Sequence, residues 1–200
     1  MNLRFEEEMK RERRRKMLKE LLWFLLAAAI VVLFAWLIVQ FALKKVNVIG
    51  SAMETTLYNG EDVIVNKTSY LIFSPGRESV IAFYPELEED SDVVLDDSSV
   101  MIRRVVGLPG EKIQIVDGKI FINGEELKEK YNFSTMASAG IANSEIQLGE
   151  DEYFVLSDNR NDMDDSRNDA FTKVKKKNII GKVILKFNPF SLIGGPEQEE

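Results

Sequence analysis

KIQIVDGKIFING, residues 112–124, carries the clearest secondary-structure signature in the chain. Residues 112–116 and residues 119–122 are short runs rich in β-branched and aromatic residues, as is typical of strands. Asp117-Gly118 between these runs is a favoured two-residue hairpin turn, and Asn123-Gly124 marks a second turn. The segment therefore predicts an antiparallel hairpin and indicates a mainly β domain.

Further runs of β-branched and aromatic residues lie on both sides of this hairpin and extend the β prediction. They are residues 62–65 (DVIV), 79–83 (SVIAF), 151–156 (DEYFVL) and 179–187 (IIGKVILKF). Two intervening segments predict loops, because residues 86–99 are acidic and contain Ser, and residues 132–142 have no clear period. The final residues 194–200 (GGPEQEE) are predicted to be disordered.

The N-terminal part of the chain has a different composition. Leu21 to Val39 is a run of 19 residues without a charge, and its continuation through Leu43 makes 23. At about 1.5 Å per residue, this length crosses a hydrocarbon core of about 30 Å. Trp23 and Trp36 lie near its two ends, where indole rings favour the membrane interface. The run predicts one transmembrane helix in the lipid bilayer over residues 21–43.

Charge around this run predicts its orientation. Residues 1–20 hold eight Lys or Arg against five Glu, whereas Lys44 and Lys45 alone follow the run directly. The positive-inside rule then places residues 1–20 in the cytoplasm and residues 44–193 outside, as the extracytoplasmic domain of a single-pass cell-membrane protein. A buried core helix and a cleaved secretory signal are the alternatives. The rest of the chain is too small to enclose such a helix, and Leu43-Lys44-Lys45 is not a small-residue cleavage site.

Composition excludes several kinds of chemistry. The 200 residues include no Cys and no His. The chain therefore has no thiol nucleophile, no thiolate zinc site and no Ser-His-Asp triad, and we expect no metal and no cofactor. The formal net charge of −7 argues against a nucleic-acid partner. Any hydrolysis would have to use Ser or Thr with Lys, or carboxylates alone.

Three segments and a weaker fourth carry a resemblance to a known family. They are GSAMETTLYNG (50–60), IRRVVGLPGE (102–111), SDNRNDMDDSR (157–167) and, less closely, GRESVIAF (76–83). In this order and spacing they resemble the boxes G-x-S-M-x-P-T-L-x-x-G, V-K-R-V-I-G-x-P-G-D, G-D-N-R-x-x-S-x-D-S-R and R-G-D-V-V-x-F of the type I signal peptidases. The single anchor and the short chain resemble the Gram-positive members. The resemblance implies a signal-peptidase-like all-β domain with one N-terminal transmembrane helix.

The resemblance also implies a mechanism, and its three side chains are changed here. In the family a serine hydroxyl attacks the scissile carbonyl, a neutral lysine amine takes the proton, and a second serine orients the lysine. The nucleophile position is filled by Ala52, whose methyl group cannot be acylated. The base position is filled by Arg103, and a guanidinium is not deprotonated in proteins. The orienting position is filled by Met163, whose thioether has almost no hydrogen-bonding power.

Another pair of side chains could replace the lost dyad. Ser51 adjoins Ala52, and Lys67, Lys112 or Ser166 are candidates to act with it. If this segment is extended, neighbouring side chains point to opposite faces, so that Ser51 faces away from the groove. A displacement of even about 1 Å costs roughly 100-fold in rate. An active signal peptidase with a relocated nucleophile is therefore the alternative and not the leading hypothesis.

Other family motifs are kept, and their residues favour structural roles. Gly and Pro suit tight turns, and paired Asp and Arg side chains brace loops. These residues are Gly107, Pro109, Gly110, Asp158, Asn159, Arg160, Asp165, Ser166 and Arg167. Five apolar residues in or beside the boxes predict a substrate groove for an extended peptide, with ordinary core packing as the alternative. They are Met53, Leu57, Ile81, Phe83 and Val105.

Further departures from the family are scattered around the site. Thr55 replaces a proline, Ser157 replaces a glycine, and Glu78-Ser79 replace Gly-Asp. Such losses, with the scaffold motifs kept, indicate a natural paralogue released from catalysis. The leading hypothesis is a non-catalytic protein that binds extended segments of secreted or surface-protein precursors, as an adaptor or chaperone of the kind that inactive relatives provide in pilus assembly. A product without any role is the third possibility.

Overall fold

The computed structural model describes residues 2–85, 96–171, 173–187 and 190–194. The chain divides into two compact units, residues 1–42 and residues 43–200. Most of the predicted acidic loop (86–95) and most of the predicted disordered tail (195–200) lie outside the described residues. At the end of the acidic loop, Asp97–Ser99 form a 3-10 turn that the Asp96 side chain caps.

The N-terminal unit is one helix, α1, which runs from Asn2 to Ala42. It begins well before the predicted span, because residues 2–20 are mostly strong helix formers and no Gly or Pro occurs before Ala42. The part from Arg11 to Ala42 is long and apolar enough to cross a membrane. Trp23 and Trp36 are both exposed on it. The helix is consistent with a membrane anchor, and its orientation across a bilayer stays a prediction.

The second unit is built from short strands, as the runs of β-branched and aromatic residues predict. They are β1 (Leu43–Asn47), β2 (Asp62–Asn66), β3 (Val80–Phe83), β4 (Met101–Gly107), β5 (Lys112–Val116), β6 (Lys119–Ile122), β7 (Glu125–Glu126), β8 (Ile146–Gln147), β9 (Glu152–Leu156), β10 (Val174–Lys175), β11 (Ile179–Phe187) and β12 (Phe190–Leu192). A one-turn helix, α2 (Ser69–Ile72), follows β2. The four runs predicted outside the hairpin are β2, β3, β9 and β11, with ends that differ by at most one residue.

The strands form two antiparallel sheets. The larger sheet has the order β1-β2-β11-β3-β4-β9-β10, with β12 paired to β11, and the smaller sheet has the order β7-β6-β5-β8. The predicted hairpin is confirmed as β5–β6, with Ile113 opposite Ile122 and Ile115 opposite Ile120. Asp117 and Gly118 have φ values of 51° and 75°. Positive φ at both positions is what a type I′ turn requires.

Strand β4 is the element that positions the second box. It lies between β3 and β9, with Ile81 opposite Arg103 and Leu156 opposite Arg104. A strand paired on both sides has its backbone polar groups satisfied and is held in a fixed register. The two arginines therefore stand on a rigid element, and the first and third boxes, which are turns, approach them.

Candidate functional site

The first and third boxes are joined by hydrogen bonds from the backbone and from side chains. The backbone N–H of Asn159 donates to the carbonyl oxygen of Ala52 at 3.0 Å. The Asn159 side-chain amide donates to the carbonyl oxygen of Ser51 at 3.4 Å. The Thr56 hydroxyl donates to Oδ2 of Asp158 at 2.6 Å, in a buried contact. The structure thus brings the nucleophile position, Ala52, against the third box, as the order of the boxes implies.

The segment that carries Ala52 is a tight turn and not an extended strand. Met53 O accepts backbone N–H bonds from Thr56 and from Leu57, at 3.0 and 2.8 Å. The premise that residues 51 and 52 are extended is therefore wrong, because these local bonds curl the chain. Ser51 nevertheless faces solvent while Ala52 is buried.

Two of the departures from the family pattern, Thr55 and Ser157, create unfavourable local structure in the backbone and in the core. Thr55 has a φ of +82°, in the left-handed region that β-branched residues rarely adopt. Proline, which the family has here, is locked near −65° and could not adopt this conformation. Ser157 is fully buried, and its hydroxyl has no hydrogen-bond partner among the described residues. Both substitutions have a local energetic cost at the site.

Arg103 fills the base position as a buried cation tied to the third box. Its Nε donates to the backbone oxygen of Asp164 at 2.5 Å, and its Nη2 donates to Oδ2 of the same residue at 2.6 Å. Its Nη1 donates to the carbonyl oxygen of Ile102 at 2.6 Å. Burial lowers the pKa of Arg103, while Asp164, Asp165 and Asp162 raise it. Since guanidinium starts from a pKa above about 12, the group stays charged and cannot accept a proton.

Met163 lies in the same segment, and its side chain makes an apolar contact with Gly140. Its methyl group packs so close to Gly140 that a β-carbon on Gly140 would come within 2.9 Å of it. Gly140 has a φ of +55° and opens a 3-10 turn, Gly140–Asn143. The link from this segment to Arg103 is made by the next residue, Asp164. Hydrogen bonds of Asn159 and Asp164 thus link the third box to Ala52 and to Arg103, and the side chains of Ala52, Arg103 and Met163 supply no proton acceptor.

Arg104 and Asp158 form a bidentate ion pair beneath the site. Nε of Arg104 lies 2.7 Å from Oδ1 of Asp158, and Nη2 lies 2.5 Å from Oδ2. Both side chains are almost fully buried. Nη1 of Arg104 also donates to the backbone oxygen of Glu78 at 2.8 Å, which ties in the fourth box. Such a fork geometry fixes the orientation of both partners as well as binding them.

Arg167 and Asp165 hold the turn of the third box together. Nη2 of Arg167 lies 2.7 Å from Oδ2 of Asp165 and 2.6 Å from the backbone oxygen of Asp162, and Nη1 lies 2.7 Å from the backbone oxygen of Arg160. The Ser166 hydroxyl accepts the backbone N–H of Val155 at 3.0 Å. All these bonds join parts of the fold to one another. The positions of Asp165, Ser166 and Arg167 are therefore consistent with the predicted structural role.

Arg160 belongs to a buried cluster that sequence reasoning missed. Its Nη2 donates to Glu129, and its Cζ lies 4.1 Å from the centroid of the Phe133 ring. The Tyr131 ring lies 5.2 Å from Cζ of Arg104. Desolvation raises the pKa of Glu129, and Arg160 opposes that rise. The only signal in the sequence was an acidic residue, Glu129, followed by two aromatic residues at the start of the predicted loop 132–142.

The turn that ends the second box uses its glycines in two different ways. Gly110 has a φ of +80°, the left-handed conformation expected of a turn glycine. Gly107 is at the end of β4 without a positive φ, and a β-carbon there would lie 2.6 Å from Cδ1 of Ile113. Pro109 lies between them. The Glu111 carboxylate accepts the backbone N–H of Leu108 at 2.7 Å and pairs with Arg77 at 2.6 Å, which closes the turn.

The predicted groove residues do not all reach the surface. Leu57, Ile81, Phe83 and Val105 are fully buried. Met53 borders a small pocket, here called the Met53 pocket. It is lined by Val48, Ile49, Met53, Val100, Ile102 and Arg103. The groove over all five predicted residues stays a prediction, and Met53 is the one of the five that lines this pocket.

The candidate substitutes for the dyad are not brought together. Ser51 Oγ lies 3.2 Å from Oδ2 of Asp162, in an exposed contact. Lys112 pairs with Glu145 on the smaller sheet, and Ser166 is buried. Lys67 follows β2, where its Cα packs against Gly181. Among the described residues no group of three or more Asp or Glu is arranged to hold a metal ion.

Comparison with known proteins identifies relatives of this chain. The family model described as signal peptidase, peptidase S26, matches residues 20–188. Signal peptidase I P of Bacillus subtilis subsp. natto is 32% identical over 167 residues, which cover 80% of this chain and 84% of that protein. Signal peptidase I of Leptolyngbya laminosa is 33% identical over 144 residues, which cover 72% of this chain and 68% of that protein.

Two further similarities are more partial. A probable signal peptidase I-2 of Synechocystis is 30% identical over 144 residues, which cover 72% of this chain but 62% of that protein. The crystal structure of a signal peptidase I from Enterococcus faecalis is 30% identical with a TM-score of 0.40, and the match covers 55% of this chain and 97% of that chain. On the family model, which spans most of its length, the chain belongs to the signal peptidase family, peptidase S26.

Proposed function

We propose that this member of the family binds extended peptide segments of secreted or surface-protein precursors without cleaving them. The observation that carries the proposal is the pair Ala52 and Arg103. The first side chain has no nucleophilic atom, and the second is a buried cation that three hydrogen bonds hold in its charged form. In serine proteases, loss of nucleophile and base costs about 10⁶-fold in turnover.

Binding has a physical basis in the Met53 pocket. Its walls are mostly apolar, and Met53, Val100 and Ile102 are buried while Ile49 is 58% exposed at the rim. A narrow apolar pocket accepts small side chains, such as those found at alternate positions before a signal-peptide cleavage site. Val48 and Ile49 follow β1, an end strand of the larger sheet. An extended peptide could add alongside such a segment through main-chain hydrogen bonds.

The location that goes with this function is the outer face of the cell membrane. The apolar helix would anchor the protein, with residues 1–20 in the cytoplasm and the β domain outside. Binding of precursor segments at this location suits an adaptor or a chaperone in secretion or in the assembly of surface proteins. Labelling of single cysteines introduced at exposed Lys119 and at Arg13 with a membrane-impermeant reagent on intact cells tests the orientation, since the native chain has no Cys.

A binding experiment with full-length protein in detergent micelles tests the function. The probe is a fluorescent peptide with an Ala-x-Ala segment, and its length after incubation is read by mass spectrometry. We expect saturable binding of an intact peptide. Ile49→Glu at the pocket rim should weaken binding at least 10-fold, while the matched control Leu71→Glu, at a residue 79% exposed and outside the pocket lining, should leave it unchanged. Equal binding by both variants contradicts the proposed site.

One observation favours a second function, an active peptidase that uses Ser51. The contact between Ser51 Oγ and the Asp162 carboxylate could transfer a proton from the hydroxyl. Carboxylates are much weaker bases than neutral amines, so this pair is a poor replacement for a serine-lysine dyad. A specific cut that disappears in Ser51→Ala but persists in the control Ser98→Ala would establish this function and overturn the first.

A further inference from the structure

A second pocket of the β domain lies beside the fourth box and carries an excess of positive charge. It is here called the Lys182 pocket, has a volume of about 200 Å³ and is lined by, among others, Arg77, Glu78, Lys130, Tyr131, Lys182 and Gly194. Residues 195–200 (GPEQEE) follow directly after Gly194 and contain three Glu and no Lys or Arg. We propose that the Lys182 pocket is a carboxylate-binding site whose ligand is this acidic segment of the same chain. Such a contact is separate from peptide binding at the first box and does not depend on it.

The positive charge of the Lys182 pocket is not fully balanced by its own lining. Lys130 and Lys182 are both exposed, and among the described residues neither ammonium group forms an ion pair. Arg77, in contrast, is paired with Glu111 at 2.6 Å. The lining includes one carboxylate, that of Glu78, which accepts the backbone N–H of Lys130 at 2.6 Å. Two ammonium groups thus stand against a single carboxylate, and a further carboxylate would bring compensating charge.

The residues that precede the acidic segment are held at the pocket wall by two hydrogen bonds. The backbone N–H of Ile193 donates to the carbonyl oxygen of Ile184 at 3.0 Å. Nη2 of Arg104 donates to the carbonyl oxygen of Gly194 at 2.9 Å. The charge of Arg104 is balanced by its buried pair with Asp158, so this arginine does not compete for the carboxylates of the segment. The acidic segment therefore starts beside the two unpaired lysines.

Only a short tether separates Gly194 from the first acidic residue, Glu197. Since a chain extends by at most about 3.6 Å per residue, the Cα atom of Glu197 lies within about 11 Å of the Cα atom of Gly194. Ion pairs on a protein surface are individually weak. A short tether, however, gives the carboxylates a high effective concentration at Lys130 and Lys182. An intramolecular contact can therefore form where a free carboxylate would bind too weakly.

A carboxylate bound to both lysines would join the two sheets of the domain. Lys182 belongs to β11 of the larger sheet, whereas Lys130 follows β7 of the smaller sheet. At about 200 Å³ the pocket has room for a carboxylate together with several water molecules, since one water takes up roughly 30 Å³ in the liquid. The composition of residues 194–200 predicts disorder, but composition takes no account of a cationic pocket beside the segment. The Lys182 pocket supplies the partners that the segment lacks in isolation.

Carbodiimide cross-linking of the full-length protein in detergent micelles tests this contact. The reagent joins a carboxylate to a neighbouring amine as an amide and takes up the water that is lost, and mass spectrometry after digestion identifies the joined residues. We expect cross-links from residues 195–200 to Lys130 or Lys182 to be at least about 5-fold more abundant than those to Lys128. Lys128 is the matched control, because it is exposed and lies two residues from Lys130 but does not line the pocket. Raising NaCl to about 0.5 M should lower the yield, since salt screens exposed ion pairs.

A variant of the segment supplies a second measurement that leaves the β domain unchanged. In the triple variant Glu197→Gln, Glu199→Gln and Glu200→Gln, acetylation of Lys130 and Lys182 should be at least about 3-fold faster than in the parent, because a neutral segment no longer pairs with them. The control Glu125→Gln, at an exposed residue of β7, should leave both rates unchanged. Equal acetylation rates in the triple variant and the parent would overturn the inference. Cross-linking of Lys128 as abundant as that of the two pocket lysines would also overturn it, since tethering alone would then explain the contacts.

Discussion

Thr55 shows how one residue records the divergence of this chain from its family. At a φ of +82°, a β-branched residue is strained by about 1–2 kcal/mol. Restoring the family residue with Thr55→Pro should lower Tm markedly, because proline cannot adopt positive φ. Thr55→Gly should raise Tm, since relief of the strain exceeds the chain-entropy cost of glycine, about 0.5–1 kcal/mol. A proline variant as stable as the parent would show that the turn is built differently.

Asp158 and Arg104 test the importance of a buried ion pair in the scaffold. Asp158→Asn leaves the arginine charged, buried and without an anionic partner at 2.5–2.7 Å, so the free energy of unfolding should fall by about 3–5 kcal/mol. The control Glu126→Gln breaks the exposed pair with Lys119 and should cost at most about 1 kcal/mol. Denaturant titration of both variants measures the difference. Similar decreases in the free energy of unfolding of the two variants would mean that the buried ion pair contributes no more to stability than the exposed one.

At the scale of elements, the end of β4 depends on a glycine that has no room for a side chain. Gly107→Ala would place a β-carbon 2.6 Å from Cδ1 of Ile113 and 2.8 Å from Cβ of Phe154. We expect overpacking to lower the free energy of unfolding by about 1–3 kcal/mol. Gly76→Ala is the control, because a β-carbon there meets nothing within 4 Å. A Gly107→Ala variant as stable as the parent would show that β4 and β5 can move apart without loss of stability.

Glu129, in the segment between β7 and the turn at Gly140, should make the thermal stability of the protein depend on pH. Desolvation raises the pKa of Glu129 above its ordinary value of 4.5. A carboxyl with a raised folded pKa contributes stability that is fully present below the unfolded pKa and is lost as pH rises through the folded pKa. The Tm of the parent relative to Glu129→Gln should therefore fall as pH rises from about 4.5 into the window of the raised pKa. A difference in Tm that is constant from pH 4 to 8 would contradict this.

The sequence predicts an element when residues close together in the chain determine its structure, and fails when distant residues do. The β5–β6 hairpin follows from its own β-branched and aromatic runs and its Asp-Gly turn, so it was predictable from local sequence. The turn at 51–56 was not predicted, because its local hydrogen bonds are accompanied by contacts with Asn159 and Asp158, about a hundred residues away, that the sequence does not reveal. The cluster of Arg160 with Glu129 and Phe133 was missed for the same reason. The identities at Ala52, Arg103 and Met163 needed the family boxes, since nothing in composition singles them out.

At the scale of the whole molecule, the chain has the framework of a signal peptidase, and we propose that it has lost the chemistry. Arg104 and Arg167 form buried ion pairs with Asp158 and Asp165, and we propose that Ala52 and Arg103 stand where the family has its nucleophile and its base. This separation makes a positive prediction. If the framework is intact, restoring the three side chains with Ala52→Ser, Arg103→Lys and Met163→Ser should create a peptidase, provided the new lysine is released from Asp164.

The most direct measurement is therefore cleavage of a signal-peptide substrate by the full-length protein in detergent micelles, followed by mass spectrometry of both substrate and protein. The account predicts that the unmodified protein leaves the substrate intact and gains no acyl adduct, while the triple variant cuts after the small residue of the Ala-x-Ala segment. Specific cleavage by the unmodified protein, or an acyl adduct on any of its serines, would contradict the account.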